Sequence, residues 1–168
     1  MWKSILVPHD FSPGADRALR VAVDLARVHG ASISILHVSD LPEGLTGDTV
    51  VEPPREHSSL AGADYVTRGA LRRLEGIAQP LRRAGLTVRT KAVTGDVADE
   101  ILGAARKLDT DVLVVGTHGR TGLSHLVLGS VAENVVRRAS VPVVTVRSVA
   151  MEAEPTSEER DAEDERAG

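Results

Sequence analysis

The sequence predicts an α/β protein with a Rossmann-like doubly wound sheet of five mostly parallel strands and helices on both faces. Five short apolar segments alternate with amphipathic segments of helical period, which is typical of repeated strand–helix units. A chain of 168 residues is long enough to form one domain around a single core. It contains no cysteine, so packing and hydrogen bonds have to hold the fold without disulfides.

The first strand, first helix and second strand follow one another closely. The apolar run Lys3 to Val7 predicts the strand, and Ser12 followed by Pro13 is typical of a helix N-terminus. The helix is expected to end at Gly30, and the β-branched run Ala31 to Val38 favours the second strand. The buried face of the helix is expected to comprise Ala15, Leu19, Ala22, Leu25 and Ala26.

The middle of the chain predicts a polar loop, a long helix and a third strand. Ser39 to His57 is rich in polar residues, glycine and proline, and loops of that length are usually functional or mobile. A helix is expected from about Ser59 to Ala84, which Pro80 would kink or end early, followed by a strand from Leu86 to Val93. The expected buried stripe of this helix is Leu71, Leu74, Ile77, Ala78 and Leu81.

The remaining elements complete an alternating order of five strands and four helices. Asp96 follows a glycine and is a natural helix N-cap. The apolar runs 111–116 and 141–147 predict the fourth and fifth strands, with a helix from Ser130 to about Ala139 between them. The helix after Asp96 is expected to bury Val97, Ile101, Leu102, Ala105 and Leu108.

Charge is distributed unevenly along the chain. Residues 149–168 hold eight of the 24 acidic and two of the 20 basic residues, so residues 1–148 carry 16 acidic and 18 basic ones. We expect residues 1–148 to form the domain, and the acidic tail, which lacks apolar residues to offset chain entropy, to be disordered. A domain charge near +2 accommodates an anionic ligand. Only three aromatic residues are available to stack bases, which argues against nucleic acid as a partner.

Signals for export, membrane insertion and metal binding are weak. The N-terminal apolar run is too short for a signal peptide, and no run approaches the roughly 18 apolar residues of a membrane span. We therefore expect a cytoplasmic protein without a membrane partner. The six histidines are scattered, and His118 and His125 lie in a loop without a carboxylate partner. We expect no metal held by the protein, and any Mg²⁺ would arrive on the phosphates of a nucleotide.

The glycine-rich segment after the fourth strand carries the strongest functional signal. Gly116, Gly119 and Gly129 lack a Cβ and can adopt positive φ, so backbone N–H groups can approach an anion closely. A helix that begins near Ser130 adds unpaired N–H groups and about half a positive charge, and Arg120 adds a full charge. The segment is typical of a phosphate-binding turn, although it is neither a Walker loop nor a Gly-x-Gly-x-x-Gly fingerprint.

Plain turn chemistry explains part of the same segment. Ser130 could cap its helix while Glu133, three residues later, closes a capping box. This interpretation is compatible with phosphate binding, so the residues alone leave both open.

Topology predicts where a ligand would bind. A doubly wound sheet reverses its winding direction at one crevice beyond the strand carboxyl ends, and ligands bind there. If the first and fourth strands flank that crevice, Pro8-His9-Asp10 would face the segment from Gly116 to Ser130.

The chain resembles the nucleotide-binding branch of the universal stress protein family over positions 2–147. Members of this branch carry Gly-x-x-Gly, nine residues and Gly-Ser or Gly-Thr, which here is Gly116, Gly119 and Gly129-Ser130. The branch that does not bind ATP lacks this intact pattern. Other blocks that resemble the family are Ile5-Leu6-Val7-Pro8 followed by Asp10, Gly95-Asp96, the runs 111–116 and 129–133, and Val141-Pro142-Val143-Val144.

The resemblance implies ATP binding in a Rossmann-like domain. Asp10 and Gly116 would lie near the ribose, and Pro8 and Val38 would line the adenine region. His118 lies within the glycine loop and either touches the nucleotide or is an ordinary loop residue. The phosphate contacts would come from Gly119, Arg120, Gly129, Ser130 and Val131.

Three functions remain open on this basis. The leading hypothesis is a nucleotide-dependent stress-response or signalling module that forms a homodimer through the last strand, Val143 to Val146, an apolar edge that pairing would bury. A slow ATPase or phosphotransferase would use the same site, with Asp10 and His118 as the only obvious groups to activate a nucleophile. The third is a structural or chaperone-like dimer whose glycine loop stays empty.

Overall fold

The structure, a computed structural model, describes residues 1–39, 50–51, 60–117 and 129–147. Within these residues, strands and helices alternate as predicted. The main sheet is formed by β1 (Ser4–Pro8), β2 (Ser32–Ser39), β5 (Val88–Thr94), β6 (Val112–Gly116) and β7 (Val143–Val146). The helices are α1 (Pro13–His29), α2 (Gly62–Arg83), α3 (Val97–Lys107) and α4 (Ser130–Arg138). A separate antiparallel pair consists of β3 (Val50–Val51) and β4 (Leu60–Ala61).

The strand order of the main sheet is β5-β2-β1-β6-β7, and every pairing in it is parallel. The winding direction reverses between β1 and β6, because β1 is joined to β2 on one side and to β6 on the other. This confirms the prediction that the first and fourth strands of the sheet flank the switch point. Helices α1 and α2 cover one face and α3 and α4 the other, as the doubly wound class requires.

The core consists of two apolar clusters, one on each face of the sheet. Successive residues of β1 enter different clusters, with Ile5 and Val7 on the α1–α2 side and Leu6 on the α3–α4 side. The central strands are therefore buried on both faces, which explains why they read as continuous apolar runs. The largest fully buried side chains include Ile5, Leu6, Ile33, Ile35, Leu36, Leu74, Ile101 and Leu113.

The helix termini confirm three of the predicted caps. The Ser12 hydroxyl accepts a hydrogen bond from the Ala15 N–H at 3.2 Å, and Gly30 ends α1 in the left-handed conformation with φ 68°. The Asp96 carboxylate accepts from the Asp99 N–H at 2.9 Å and begins α3.

Several predictions for the middle of the chain were wrong. Helix α2 begins at Gly62 rather than near Ser59, and it continues through Pro80, which lies in its last turn. Leu71 is 39% exposed, because Ala70 occupies the buried position four residues before Leu74. Strand β3 lies within the predicted polar loop and β4 within the predicted start of the helix. Two-residue strands are too short to show a period in the sequence.

The predicted ends of all five strands of the main sheet shift by one or two residues. The second strand extends to Ser39, the third strand of the predicted order begins at Val88 rather than Leu86, and the last spans only Val143–Val146. Three predicted loop residues, His118, Gly119 and Arg120, lie outside the described residues, as does the acidic tail, 149–168. Among the described helices, none combines the length and apolar character needed to cross a bilayer.

The two edges of the sheet differ in how their outward backbone groups are used. The Ile33 N–H donates to the Thr87 carbonyl, so Val88, the next residue of β5, directs its carbonyl away from the sheet. Arg82 of α2 occupies this outward carbonyl at the start of the edge, because its Nε donates to the Val88 carbonyl at 2.8 Å and its Nη1 donates to Glu75 at 2.6 Å. At the opposite edge, β7 lies against β6 alone among the described strands.

The Glu75 carboxylate that holds Arg82 should titrate at unusually low pH. The hydrogen bond from Arg82, followed by the one from the Thr90 hydroxyl, lowers the pKa of Glu75 from its ordinary 4.5 to about 2. Because the folded-state pKa is depressed, its stabilising contribution is complete above about pH 4.5 and is lost as the pH falls toward 2. Carboxyl ¹³C NMR should place the midpoint near 2 in the wild type and higher in Thr90→Val. A wild-type midpoint at the ordinary value would contradict the contact.

Candidate functional site

A cleft of about 610 Å³ lies at the carboxyl ends of β1 and β6, at the switch point of the sheet. Its walls come from the loop after β1, the end of β2, helix α3 and the first turn of α4. Each predicted site residue that the structure describes lines this cleft: Pro8, Asp10, Val38, Gly116, Gly129, Ser130 and Val131. The fold thus brings together residues more than a hundred positions apart, while their role in binding stays a prediction.

The two described glycines of the motif are needed because neighbouring backbone atoms lie too close to leave room for a Cβ, and not because their φ is positive. A Cβ built on Gly116 would lie 3.0 Å from the backbone carbon and oxygen of Gly14, in the first turn of α1. Gly129 has φ −59° and ψ 148°, and its N–H donates to the Thr117 carbonyl at 2.8 Å. A Cβ on Gly129 would lie 3.1 Å from that carbonyl oxygen. Neither described glycine adopts a positive φ, so of the two glycine properties considered, the lack of a Cβ is the one that matters here, because it permits backbone-to-backbone packing.

The predicted capping box at the start of α4 does not form. Gly129 is the N-cap and provides no side-chain hydrogen bond, so Ser130 is the first helical residue rather than the cap. The Glu133 carboxylate instead pairs with Arg137 at 3.1 Å, one turn further along. Among the residues that the structure describes, no side chain caps the first turn of α4, which lines the cleft. Such a terminus combines free donors with the positive end of the helix dipole.

The loop after β1 presents Asp10 to the cleft. Oδ1 of Asp10 accepts from the Ser12 N–H at 3.0 Å, an Asx turn that leads into α1. Phe11, between them, has φ 66°, an uncommon conformation for a residue with a bulky side chain. Asp10 thus lines the cleft and also helps to start the first helix.

Two buried histidines, His9 and His37, line the cleft. The sequence placed His9 in the loop that faces the glycine segment, but it indicated no role for either ring. His9 is 2% exposed and His37 is 4% exposed. His9 Nδ1 accepts from the Phe11 N–H at 3.2 Å, so the neutral ring carries its proton on Nε2, which donates to Asp16 at 3.1 Å. Burial lowers the pKa of His9, and the nearby Asp16 carboxylate opposes that shift only in part. His37 Nδ1–H donates to the His9 carbonyl at 2.7 Å.

An aromatic cluster fixes these histidines against α2. The Phe11 ring lies 4.5 Å from the His37 ring and 5.5 Å from the His9 ring, measured between centroids. The Arg73 guanidinium lies 3.8 Å above the Phe11 ring, a cation–π contact. The loop after β1 therefore packs against β2 and α2. The sequence did not predict these contacts, because they join residues that are distant along the chain.

The cleft has chemically different ends. Val38, Val97 and Ile101 supply an apolar wall between β2 and α3, and the start of α4 supplies backbone N–H groups. A ligand with a flat apolar part and an anionic part matches this division. Within the described part of the chain, no group of three His, Asp or Glu side chains is arranged to hold a metal ion.

These features define a doubly wound α/β protein with a ligand-sized cleft at its switch point. The chain belongs to the universal stress protein family, whose family model matches residues 1–147. The family prediction made from the glycine pattern is therefore confirmed.

Individual relatives agree with this assignment. Universal stress protein MJ0577 of Methanocaldococcus jannaschii is 30% identical over 155 aligned residues, covering 88% of this chain and 96% of that protein. Universal stress protein YxiE of Bacillus subtilis is 34% identical over 151 residues, covering 88% of this chain and 100% of that protein.

Solved structures share the fold. The structure of MJ0577 superposes with a TM-score of 0.72 and 27% identity, covering 89% of this chain and 99% of that one. A universal stress protein family member from Arabidopsis thaliana, solved with AMP bound, has a TM-score of 0.60 and 22% identity, covering 95% of this chain and 99% of that one. These likenesses confirm the predicted α/β class.

Proposed function

We propose that this protein binds ATP in the cleft between β1 and β6 and acts as a nucleotide-dependent stress-response or signalling module. The observation that carries the proposal is the union, in one cleft, of an apolar wall at Val38 and the uncapped start of α4 at Gly129. Membership of the universal stress protein family supports it. Asp10 and Gly116 would contact the ribose between these two ends.

The backbone of Val38 supports adenine as the base. The Ser32 N–H donates to Lys3 and the Leu36 carbonyl accepts from His9, so even-numbered residues of β2 direct their backbone groups toward β1. Val38 is the next even-numbered residue and lies beyond the end of β1, so its N–H and carbonyl point into the cleft. Adenine offers an acceptor at N1 and a donor at N6, which matches this pair. Guanine offers the reverse order at N1 and O6.

The start of α4 supports phosphate binding. Ser130 and Val131 line the cleft in the first turn of the helix, where N–H groups and the helix dipole favour an anion. Gly129 lets this turn approach the Thr117 carbonyl closely. By resemblance to the family, His118, Gly119 and Arg120 would complete the phosphate contacts.

Calorimetric titration with ATP and GTP tests the proposal. We expect ATP to bind at least about tenfold more tightly than GTP, because GTP would leave the Val38 groups unpaired. ATP at a hundred times its Kd should stabilise the protein by about 2.7 kcal/mol, which raises the Tm by roughly 5–10 °C. Absence of any thermal shift, together with no nucleotide released from freshly purified protein in mass spectrometry, would end the proposal.

The same samples distinguish binding from turnover. ADP release measured with saturating ATP and Mg²⁺ reports hydrolysis directly. Turnover that Asp10→Ala removes without weakening ATP affinity would favour the slow ATPase or phosphotransferase over a binding module.

We also propose a homodimer formed through β7. Leu113 donates to the Pro142 carbonyl and Thr117 to the Val146 carbonyl, so even-numbered residues face β6 and the backbone groups of Val143 and Thr145 face outward. Arg82 occupies the outward Val88 carbonyl of the opposite edge, which supports β7 as the edge that pairs with a second copy.

A further inference from the structure

The hydrogen-bond ladder between β1 and β2 stops one rung before the end of β2. Its last rung is the His9 N–H to the Leu36 carbonyl, at 2.8 Å. In a parallel ladder the next rung would join the Val38 N–H to the His9 carbonyl. That carbonyl instead accepts the Nδ1–H of His37 at 2.7 Å, and no backbone hydrogen bond between Val38 and His9 occurs in the described part of the chain. A side chain has taken the place of a main-chain donor.

The next hydrogen bond of the ladder is also replaced by one to a histidine side chain. Continuing the ladder would direct the Phe11 N–H toward the Val38 carbonyl, but this N–H donates to His9 Nδ1 at 3.2 Å. Phe11, at φ 66°, turns the chain away from β2 at this point. Two imidazoles therefore end the ladder, and both backbone groups of Val38 are left facing the cleft.

Burial and ring packing hold the His37 imidazole in the position from which it donates to the His9 carbonyl. It is 4% exposed, and the Phe11 ring packs against it with 4.5 Å between centroids. The carbonyl of His9 can only accept, so Nδ1 of His37 must carry the proton. An apolar ring of similar size would fill the same space but would leave the His9 carbonyl without its donor.

We propose that His37 is a positioning residue for base recognition: by occupying the His9 carbonyl it keeps the Val38 N–H available to the N1 acceptor of an adenine base. This inference rests on the proposed binding of adenine nucleotides. Losing the His37 donor allows the Val38 N–H to close onto the His9 carbonyl, so the binding site loses a donor while the fold gains a rung of sheet.

The test compares His37→Phe with His37→Asn, since the amide nitrogen of Asn can donate from nearly the position of Nδ1. ATP affinity should fall about tenfold in His37→Phe and recover to within about threefold of the wild type in His37→Asn. Inorganic tripolyphosphate, which has no base, should bind both variants as it binds the wild type. His29→Phe, a substitution at the far end of α1, should leave ATP affinity unchanged.

NMR of the nucleotide-free protein provides a readout that does not depend on binding. A hydrogen-bond coupling between the Val38 nitrogen and the His9 carbonyl carbon should be absent in the wild type and present in His37→Phe. The inference is overturned if wild-type protein binds ATP and His37→Phe binds it equally well, if His37→Asn is as weak as His37→Phe, or if the coupling is already present in the wild type. A wild type that shows the expected NMR pattern but binds no ATP would instead refute the proposed function.

Discussion

Gly116→Ala is expected to raise the Kd for ATP more than tenfold and to destabilise the protein by roughly 1–3 kcal/mol. The added Cβ would lie 3.0 Å from the backbone carbon and oxygen of Gly14, and neither of these atoms belongs to a flexible side chain. The first turn of α1 must therefore move away from β6. That turn follows directly on the loop that presents Asp10, so the displacement reaches the cleft as well as the core.

Gly103→Ala is the matched control for this substitution. Gly103 lies within α3, whose Val97 and Ile101 line the same cleft, but a Cβ built there meets no atom within 4 Å. The helix should gain up to about 1 kcal/mol from the replacement, with ATP affinity unchanged. Urea unfolding and calorimetric titration measure the two effects separately. Gly116→Ala that keeps both wild-type stability and wild-type affinity would show that α1 and β6 are not in close backbone contact.

The sheet and its switch point were predictable because strand burial leaves a strong signal. Ile5, Leu6 and Val7 are apolar in succession since consecutive residues meet different helix layers, and the same holds for 112–115. Alternation of such runs with helical segments then restricts the topology to a doubly wound sheet. Caps such as Ser12 and Asp96 were also predictable, because the capping residue acts on an N–H three residues away.

The features that the sequence did not predict depend on contacts between distant parts of the chain. The end of the ladder at His9 and His37 depends on the register between β1 and β2, and no local pattern in the sequence encodes that register. Ser130 and Glu133 have the spacing of a capping box, but the N-cap is Gly129, one residue before the predicted cap, so Ser130 is already the first helical residue. Gly129 itself is explained by the Thr117 carbonyl against which it packs, and not by the local conformation that glycine usually signals.

Thr145→Pro is expected to convert a β7-paired dimer into a monomer at micromolar concentration. The Thr145 N–H faces away from β6, so proline removes an outward donor without breaking the rungs made by Pro142 and Val146. In a twofold-symmetric pairing the loss occurs twice, once in each copy. Thr145→Val keeps the N–H and the β-branched shape, so this control should remain dimeric.

Sedimentation velocity of the three proteins measures the outcome, which also depends on the opposite edge. Arg82 occupies one outward carbonyl of β5, which disfavours pairing at that edge, and antiparallel pairing of two β7 strands closes the assembly at two copies. If copies also paired through the β5 edge, the assembly could extend without limit. A monomeric wild type, or a dimer that survives Thr145→Pro with unchanged affinity, would exclude β7 as the interface.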